Sequence, residues 1–291
     1  MATAREAATA RAAVLVEALP YIQRFRRAVV VVKYGGNAMV DPVLASTFAE
    51  DVVLMRSVGL RPVVVHGGGP QISDLMERLG KVPEFREGQR VTDAETVDIA
   101  RMVLVGKVNR EIVSAINVHG PLAVGVSGED AGLIVAGARD PDLGFVGDVH
   151  AVHPAILERL LAEDLIPVVS TIGADASGQA YNINADAVAG AIAESLHAEK
   201  VIYLTDVEGL LADVTDHSSL ISRIDAPTLR ELVDAGTLTG GMIPKIEACL
   251  HAVGHGVGSA HLLDGRVPHV VLLELFSDTG IGTMITPEAA P

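Results

Sequence analysis

The chain has 291 residues, of which 49% are hydrophobic, and a formal net charge of −15 at pH 7. This acidity argues against nucleic acid as a partner, because proteins hold phosphate backbones through clustered Lys and Arg. A single cysteine, Cys249, rules out a disulfide framework and a metal site of several cysteines. No apolar run reaches membrane-spanning length and no secretory signal opens the chain, so we expect a cytoplasmic protein that contacts no membrane.

The first segment, residues 3–19, is rich in alanine and favours a helix. Apolar residues recur along it at helical spacing, and Pro20 is expected to kink or end the helix. Because the segment precedes the first core strand, it is an appendage. It either folds back on its own domain or pairs with another subunit.

Four consecutive valines at 29–32 predict a strand that is buried on both faces, as in the middle of a parallel sheet. The strand ends in Lys33 and is followed closely by Gly35 and Gly36. A cation and a bare backbone at the carboxyl edge of a sheet suit an anionic ligand such as a phosphate. A lysine that only reaches solvent and glycines that only make a turn remain the alternative at this point.

A second strand–loop–helix unit follows. Asp41 and Pro42 predict the start of a helix that runs to about Ser57, and residues 61–66 predict another buried strand. Gly67-Gly68-Gly69 then precede a helix over residues 71–79. Three glycines before a helix N-terminus expose several N–H groups beside the positive end of the helix dipole, which indicates an anion site.

The middle of the chain predicts a small hairpin over residues 82–90, with Arg90 at its end. Arg90 is either a surface charge or a lid residue that grips a substrate carboxylate through two parallel hydrogen bonds. Thr92 is expected to cap a helix that runs to about Val118. Further along, the predicted elements are a strand at 122–126, a polar loop at 127–130, short strands within 131–152, a helix at 154–163 and a strand at 166–171.

Residues 173–181 predict a polar turn, after which residues 182–186 open a helix. Asn182 and Asn184 either bind a ligand or cap this helix, and Asp186 either belongs to the cap or holds two lysines in place. A soft domain boundary is expected near residues 180–200. Beyond it we expect a strand at 201–204, helices at 226–235 and from about Lys245, strands near 259–263 and 270–275, and a sheet-completing tail at 279–283.

Several familiar motifs are missing from the sequence. It contains neither a P-loop nor a dinucleotide fingerprint nor a nucleophile elbow. His251 and His255 could share a helix face and bind zinc, but no third ligand is evident, which favours two surface histidines and no metal site. What remains is an enzyme that uses a nucleotide and cradles its phosphates with glycine loops and lysines.

Six motifs occur in a fixed order. They are Lys33-Tyr34-Gly35-Gly36-Asn37-Ala38, His66-Gly67-Gly68-Gly69-Pro70-Gln71, Gly88-Gln89-Arg90-Val91-Thr92, Asn182-Ile183-Asn184-Ala185-Asp186, Thr205-Asp206-Val207-Glu208-Gly209 and Gly241-Met242-Ile243-Pro244-Lys245. Together they resemble the acetylglutamate kinases, of the amino acid kinase family, over the chain from residue 28 onward. The resemblance implies an α/β fold, a three-layer αβα sandwich around one mostly parallel sheet.

The resemblance also implies the reaction: ATP and N-acetyl-L-glutamate give the γ-acyl phosphate in arginine synthesis, with Mg2+ bound through the ATP phosphates. A carboxylate is already a nucleophile at neutral pH, so the reaction needs alignment and charge neutralisation and no general base. The implied division is an N-terminal helix at 1–26, an acetylglutamate-binding lobe at 27–195, and a lobe for ATP and arginine at 196–291. The alternatives are another carboxylate or carbamate kinase of the same fold and a non-catalytic arginine-sensing protein.

Site residues follow from the matching motifs. The implied catalytic residues are Lys33, Lys245 and Asp186; the substrate-binding residues are Gly68, Gly69, Arg90 and Asn182. Phosphates would be cradled by Gly35, Gly36 and Gly67, and the nucleotide bound near Thr205, Asp206 and Gly209. The first helix and the tail resemble those of arginine-inhibited members, which implies an arginine site at Tyr21, His261, Glu274 and Gly282 and a homohexamer built as a trimer of dimers.

Overall fold

The structure, a computed structural model, describes residues 4–86, 88–213, 215–236, 242–277 and 280–288. The strands are β1 (Val29–Tyr34), β2 (Arg61–His66), β3 (Phe85–Arg86), β4 (Gln89–Arg90), β5 (Ala123–Ser127), β6 (Ile134–Ala138), β7 (Val146–Val152), β8 (Ile166–Ser170), β9 (Ile172–Ala174), β10 (Ala180–Ile183), β11 (Lys200–Thr205), β12 (Arg223–Asp225), β13 (Ser259–Asp264) and β14 (Thr283–Thr286).

The α-helices of the described ranges are α1 (Ala4–Arg24), α2 (Pro42–Ser57), α3 (Gly69–Arg78), α4 (Ala94–Arg101), α5 (Asn109–Asn117), α6 (Ala155–Ala162), α7 (Ala185–Ser195), α8 (Ala226–Asp234), α9 (Ile243–Gly254) and α10 (Val270–Leu275). Among them, none combines the length and the apolar character that crossing a membrane requires.

The central sheet has eight strands in the order β12-β14-β13-β11-β1-β2-β8-β5, and only the β13–β14 pair is antiparallel. The valine strand β1 lies in the middle, as predicted, between β2 and β11. Lys33 pairs in register with Val65 on one side and Tyr203 on the other. The carboxyl ends of these three strands therefore meet at one edge of the sheet, where ligands of open parallel sheets bind.

Both faces of the sheet are covered. Val30 and Val32 of β1 pack in one fully buried cluster together with residues of α2, α4 and α5. Val31, which points the other way, packs with residues of α6, α7, α8 and α9. Since successive strand side chains alternate between faces, one strand supplies two cores. The predicted αβα sandwich is confirmed.

A closed barrel of four short strands, β6, β7, β9 and β10, lies between β5 and α7 along the chain. It confirms the short strands predicted within 131–152. The polar turn predicted over residues 173–181 is narrower than expected, because β9 and β10 pair across it. Asn182 lies in β10, and Asn184 links that strand to α7.

The predictions of local structure were confirmed where the sequence had a clear capping residue or a clear strand pattern. Asp41 caps α2 by accepting hydrogen bonds from the N–H groups of Val43 and Leu44, and β2 spans the predicted residues. The cap of α4 was misassigned: Asp93 accepts from the N–H of Thr96, whereas the Thr92 hydroxyl donates to the carbonyl of Arg90.

Two larger elements differ from the prediction. Of the two possibilities given for Pro20, a kink or the end of the helix, the second is wrong, because α1 continues to Arg24. Residues 270–275 form α10 and not a strand: Val271 and Leu275 are buried while Leu273 is 43% exposed, which is helical spacing. The last strand is instead β14, and Thr279 of the predicted tail lies outside the described residues.

A π-helical segment, Met102–Val108, joins α4 to α5 in one helical run that the sequence predicted as a regular helix. Such segments are rare and often occur at functional sites. Leu104 of this segment packs on Gly68, which lies in the second glycine loop, the loop Gly67-Gly68-Gly69 after β2.

Candidate active site

A cleft of about 270 Å3 opens at the carboxyl edge of β1 and β2. It brings together most of the site residues that the sequence singled out, namely Lys33, Gly35, Gly36, Gly67, Gly68, Gly69, Arg90, Asn182, Asn184 and Asp186. They come from a strand, two loops, a hairpin and the barrel.

Asp186 lies between two lysines at the floor of this cleft. One carboxylate oxygen is 3.0 Å from Lys33 Nζ, and the other is 3.8 Å from Lys245 Nζ. Asp186 is in the first turn of α7, and Lys245 is in the first turn of α9. The two helices and β1 therefore all begin or end at this carboxylate, which is only 13% exposed.

The first glycine loop leaves room for the lysine beside it. A Cβ on Gly35 would lie 3.0 Å from Lys33 Nζ, so any side chain there would crowd the ammonium. Gly36 has a φ of 67°, a left-handed conformation that glycine adopts without strain. It opens a short 3-10 helix, Gly36–Met39.

The second glycine loop leads into α3. A Cβ on Gly68 would lie 2.6 Å from Leu104 Cδ2, so a side chain at this position would have to displace Leu104 of the π-helical segment. Gly69 begins α3, whose first N–H groups have no partner within the helix and carry its positive dipole end. A helix N-terminus of this kind favours an anion.

Arg90 closes the cleft from the hairpin of β3 and β4. Its guanidinium donates to the Gly69 carbonyl at 2.9 Å and to the Ser73 hydroxyl at 2.8 Å, and it lies over the Phe85 ring. Burial lowers its pKa. Across the described parts of the chain no carboxylate forms an ion pair with Arg90, so an incoming carboxylate would supply its missing counter-charge.

The two asparagines differ in what they do. Asn184 caps α7, accepting from the N–H groups of Asp186 and Ala187. Asn182 lines the cleft from β10, and its side chain makes no hydrogen bond to other described residues. The capping interpretation therefore fits Asn184, whereas the Asn182 amide remains available to a ligand.

The residues expected near the nucleotide do not line the cleft. Thr205 ends β11 beside β1, but its hydroxyl donates to the carbonyl of Val207 at 2.9 Å. Gly209 is buried, and a Cβ on it would lie 2.6 Å from Thr283 Oγ1. Asp206 is exposed between them. Gly240 and Gly241, which precede Lys245, lie outside the described residues.

The charges of the cleft favour an anion. Its described lining includes Lys33, Arg90 and Arg139, but Asp186 is the only acidic residue there. Sequence reasoning missed Arg139, which follows β6 and also pairs with Asp148 at 3.6 Å. An excess of cations in a protein of net charge −15 fits phosphates and carboxylates. Because both lysines already pair with Asp186, Mg2+ fits only as an ion carried on a nucleotide's phosphates.

A buried histidine supports the second glycine loop. His66 ends β2, its Nδ1 lies 2.9 Å from the carbonyl of Gly67, and its Nε2 lies 3.1 Å from the Asn109 amide nitrogen. Asn109 also donates to the carbonyl of Val168. Burial lowers the pKa of His66 to about 4, so the ring is neutral and donates to Gly67 through Nδ1. This network could not be predicted from sequence, because Asn109 lies on a helix far along the chain.

A second buried cluster gathers three of the residues expected to bind arginine. His261 Nδ1 lies 2.7 Å from Glu274 Oε1, and Glu274 Oε2 accepts from the N–H of Ile281 beside Gly282. Burial would raise the pKa of Glu274, but the hydrogen bonds from His261 and the backbone hold it below its usual value. The fourth residue, Tyr21, lies on α1 and packs against the core cluster that contains Val30 and Val32.

Lys200 extends this cluster toward the N-terminal helix. Its ammonium is 3.1 Å from His261 Nε2 and 5.1 Å from the centre of the Phe25 ring, one residue beyond the end of α1. Burial lowers the pKa of Lys200 to about 8. No sequence motif marked Lys200 as a site residue.

Comparison with known proteins places these motifs in a family. The sequence model of the amino acid kinase family matches residues 28–264. The acetylglutamate kinase of Nocardia farcinica is 56% identical over 287 residues, covering 96% of this chain and 94% of that one. The acetylglutamate kinase of Saccharopolyspora erythraea is 55% identical, with the same coverage.

Among solved structures, N-acetylglutamate synthase from Neisseria gonorrhoeae is similar in two complexes. The complex with coenzyme A and N-acetyl-glutamate has a TM-score of 0.84 and 25% identity, covering 96% of this chain and 64% of that one. The complex with coenzyme A and L-arginine has a TM-score of 0.81 and 26% identity, covering 96% of this chain and 66% of that one.

The neutral state of His66 predicts an acid-dependent loss of stability. The unfolded chain takes up a proton at a pKa near 6.5 and the folded chain only near 4, so the unfolded state holds more protons between these values. The contribution of His66 to the free energy of unfolding should therefore fall by up to about 3 kcal/mol as the pH drops from 6.5 to 4. Urea unfolding at a series of pH values measures this slope.

The matched variants are His66→Asn, which keeps a side-chain donor, and the exposed His153→Asn. His66→Asn should reduce the slope between pH 6.5 and 4, whatever its effect on stability at neutral pH. His153→Asn should leave the slope as it is. Equal slopes in the unmodified protein and in His66→Asn would contradict the assignment.

Proposed function

The chain belongs to the amino acid kinase family, and we propose that it phosphorylates the γ-carboxylate of N-acetyl-L-glutamate with ATP. This is the acetylglutamate kinase reaction of arginine biosynthesis. The observation that carries the proposal is the sequence identity of 56% and 55%, over almost the whole chain, to two relatives named acetylglutamate kinase. The cationic cleft supports it, since both substrates are anions.

In the proposed step, an oxygen of the γ-carboxylate attacks the γ-phosphorus of ATP. A bond forms between that oxygen and phosphorus, and the bond from phosphorus to the β–γ bridging oxygen breaks. The bridging oxygen keeps the electron pair and leaves as part of ADP. No proton moves, so no general base is required, and Asp186, the one carboxylate of the described lining, serves to hold the lysines.

Lys33 and Lys245 neutralise the charge on the transferring phosphoryl group from opposite sides. Asp186 holds both ammonium groups in place before the substrates arrive, which is the pre-organisation that makes such charges effective. The N–H groups of the two glycine loops bind the phosphoryl oxygens. Charges fixed in this way need no rearrangement at the moment of transfer.

The acceptor is held by Arg90 and Asn182, with help from the backbone of Gly68 and Gly69. Arg90 is anchored by Gly69 and Ser73 and has further N–H groups for a substrate carboxylate. The unpaired Asn182 amide offers both a donor and an acceptor. This division assigns the acceptor to residues 27–195.

The nucleotide belongs to residues 196–291 in this proposal. Lys245, in the first turn of α9, lies 3.8 Å from Asp186 of the cleft lining. Thr205 ends β11, and Asp206 and Gly209 follow that strand. Kinase chemistry implies ATP, and Mg2+ would bridge its phosphates and reduce their charge. The cytoplasmic location expected from the sequence stays a prediction.

A second prediction concerns Lys33. Acyl phosphate formed from ATP, Mg2+ and N-acetyl-L-glutamate can be trapped by hydroxylamine and measured as the hydroxamate. Lys33→Ala should lower kcat by about 100-fold or more, because a fixed charge on the transferring group is lost. The matched control is Lys107→Ala, an exposed lysine that does not line the cleft and that should keep its activity.

A panel of acceptors separates the proposed function from its alternatives. Glutamate, aspartate and carbamate should give little product compared with N-acetyl-L-glutamate. Product mainly from carbamate would move the assignment to another kinase of this fold. A folded protein that gives no product with any acceptor, yet binds arginine, would favour the sensing role.

We also infer that arginine inhibits the enzyme at the cluster of His261, Glu274 and Gly282, next to the end of α1. A buried carboxylate is a good partner for a guanidinium. The Lys200–Phe25 contact links this cluster to the N-terminal segment, so a ligand there could act through α1. That helix exposes Val14, Leu15 and Val16, each more than 60% accessible, which suits pairing with other subunits in a homohexamer.

Glu274→Gln tests this inference. The variant keeps an acceptor but loses the charge, so the arginine concentration for half-inhibition should rise by about 10-fold or more. Activity without arginine should change little, because Glu274 does not line the cleft. Glu158→Gln, an exposed charge on α6, is the control and should be inhibited normally. Unchanged inhibition in Glu274→Gln, or none in the unmodified enzyme, would contradict the inference.

A further inference from the structure

Three potential metal ligands meet at the C-terminal ends of α7 and α9, away from the cleft. They are Glu194 of α7, His251 of α9 and His255, which follows α9, and their ligand atoms lie within 4.8 Å of one another. His251 Nε2 is 3.7 Å from Glu194 Oε2, and the two imidazole rings are 4.0 Å apart between centres. The sequence showed only the histidine pair, because Glu194 joins it through the packing of two helices.

The histidine at position 255 is already oriented as a ligand. Its Nδ1 lies 2.7 Å from the backbone carbonyl of His251, to which it donates a hydrogen bond. That bond fixes the tautomer and leaves the lone pair of Nε2 free. Histidines that bind metal ions are held in the same way, with the second ring nitrogen donating to a carbonyl or carboxylate.

The position suits a cation from solvent. His251 is 59% exposed and Glu194 39% exposed, so an ion can reach both without any change of the fold. Both helices present their C-terminal ends here, where the helix dipole is negative. Two imidazoles and one carboxylate form a ligand set that prefers zinc, nickel or copper over magnesium or calcium, which take oxygen ligands.

We propose that Glu194, His251 and His255 form a binding site for a divalent transition-metal ion such as Zn2+. Three protein ligands leave a further position for water, as in open zinc sites. The ion ties the end of α7 to the end of α9. The opposite ends of the same two helices carry Asp186 and Lys245, so the bound ion restrains the pair of helices that presents them.

The test uses the full-length protein with any purification tag removed and with metal stripped by a chelator. Titration with Zn2+ in a calorimeter should show saturable binding of one ion per chain. The melting temperature should rise with Zn2+, because a ligand that binds only the folded state stabilises it. Titration with Co2+ should give the visible absorption of a nitrogen- and oxygen-ligated ion.

Two variants remove one ligand each, and a third serves as control. His255→Ala and Glu194→Gln should each raise the Zn2+ dissociation constant by about 10-fold or more and reduce the Zn2+-dependent rise in melting temperature. Both positions are at least partly exposed, so the variants are expected to fold. His217→Ala is the matched control: His217 pairs with Glu208 at 3.3 Å, but these two have no third ligand among the described residues.

The metal titrations of the protein and its variants either support or overturn the proposed site. Tight binding of one ion that is weakened by His255→Ala and by Glu194→Gln, but not by His217→Ala, supports the site. Binding that does not saturate, or that is the same in all variants, would overturn it. So would binding that is lost only in His217→Ala.

Discussion

Two ammonium groups share a single carboxylate at the edge of the central sheet. Lys33, Lys245 and Asp186 arrive from β1, α9 and α7, and the carboxylate offsets the repulsion that the two lysines would otherwise exert on each other. The parallel sheet makes this possible, since it brings the carboxyl end of β1 and the first turns of both helices to one place. In the proposed reaction, an entering phosphoryl group would meet two positive charges that are already in position.

The sequence predicted the fold well where one local signal dominated. The run of four β-branched valines favoured a strand buried on both faces, and Asp41 with Pro42 favoured the start of a helix. The sequence failed where the signal was ambiguous. Residues 270–275 are apolar apart from Glu274, so a buried strand and a short helix look alike, and only burial separates them. No local pattern showed the π-helical segment at 102–108, whose Leu104 packs on Gly68.

The cleft was predictable to the extent that it is built from glycine loops and the lysines beside them. Arg90 and Asn182 also lie where their motifs indicated, although their roles stay predictions. Arg139 and the support of His66 by Asn109 were missed, because each depends on segments far apart in sequence. The same holds for Glu194, whose position beside two histidines follows from the packing of α7 on α9.

The most direct test of the central claim is a double-mutant cycle between Lys33 and Asp186. The rate of acyl-phosphate formation would be measured for Lys33→Ala, Asp186→Asn and the double variant. If Asp186 acts by holding the lysines, Asp186→Asn should lower the rate much less in the Lys33→Ala background than in the unmodified enzyme. The coupling energy between the two positions should be at least about 1 kcal/mol. Additive effects of the two substitutions would show that the lysine acts without the carboxylate and would contradict the account.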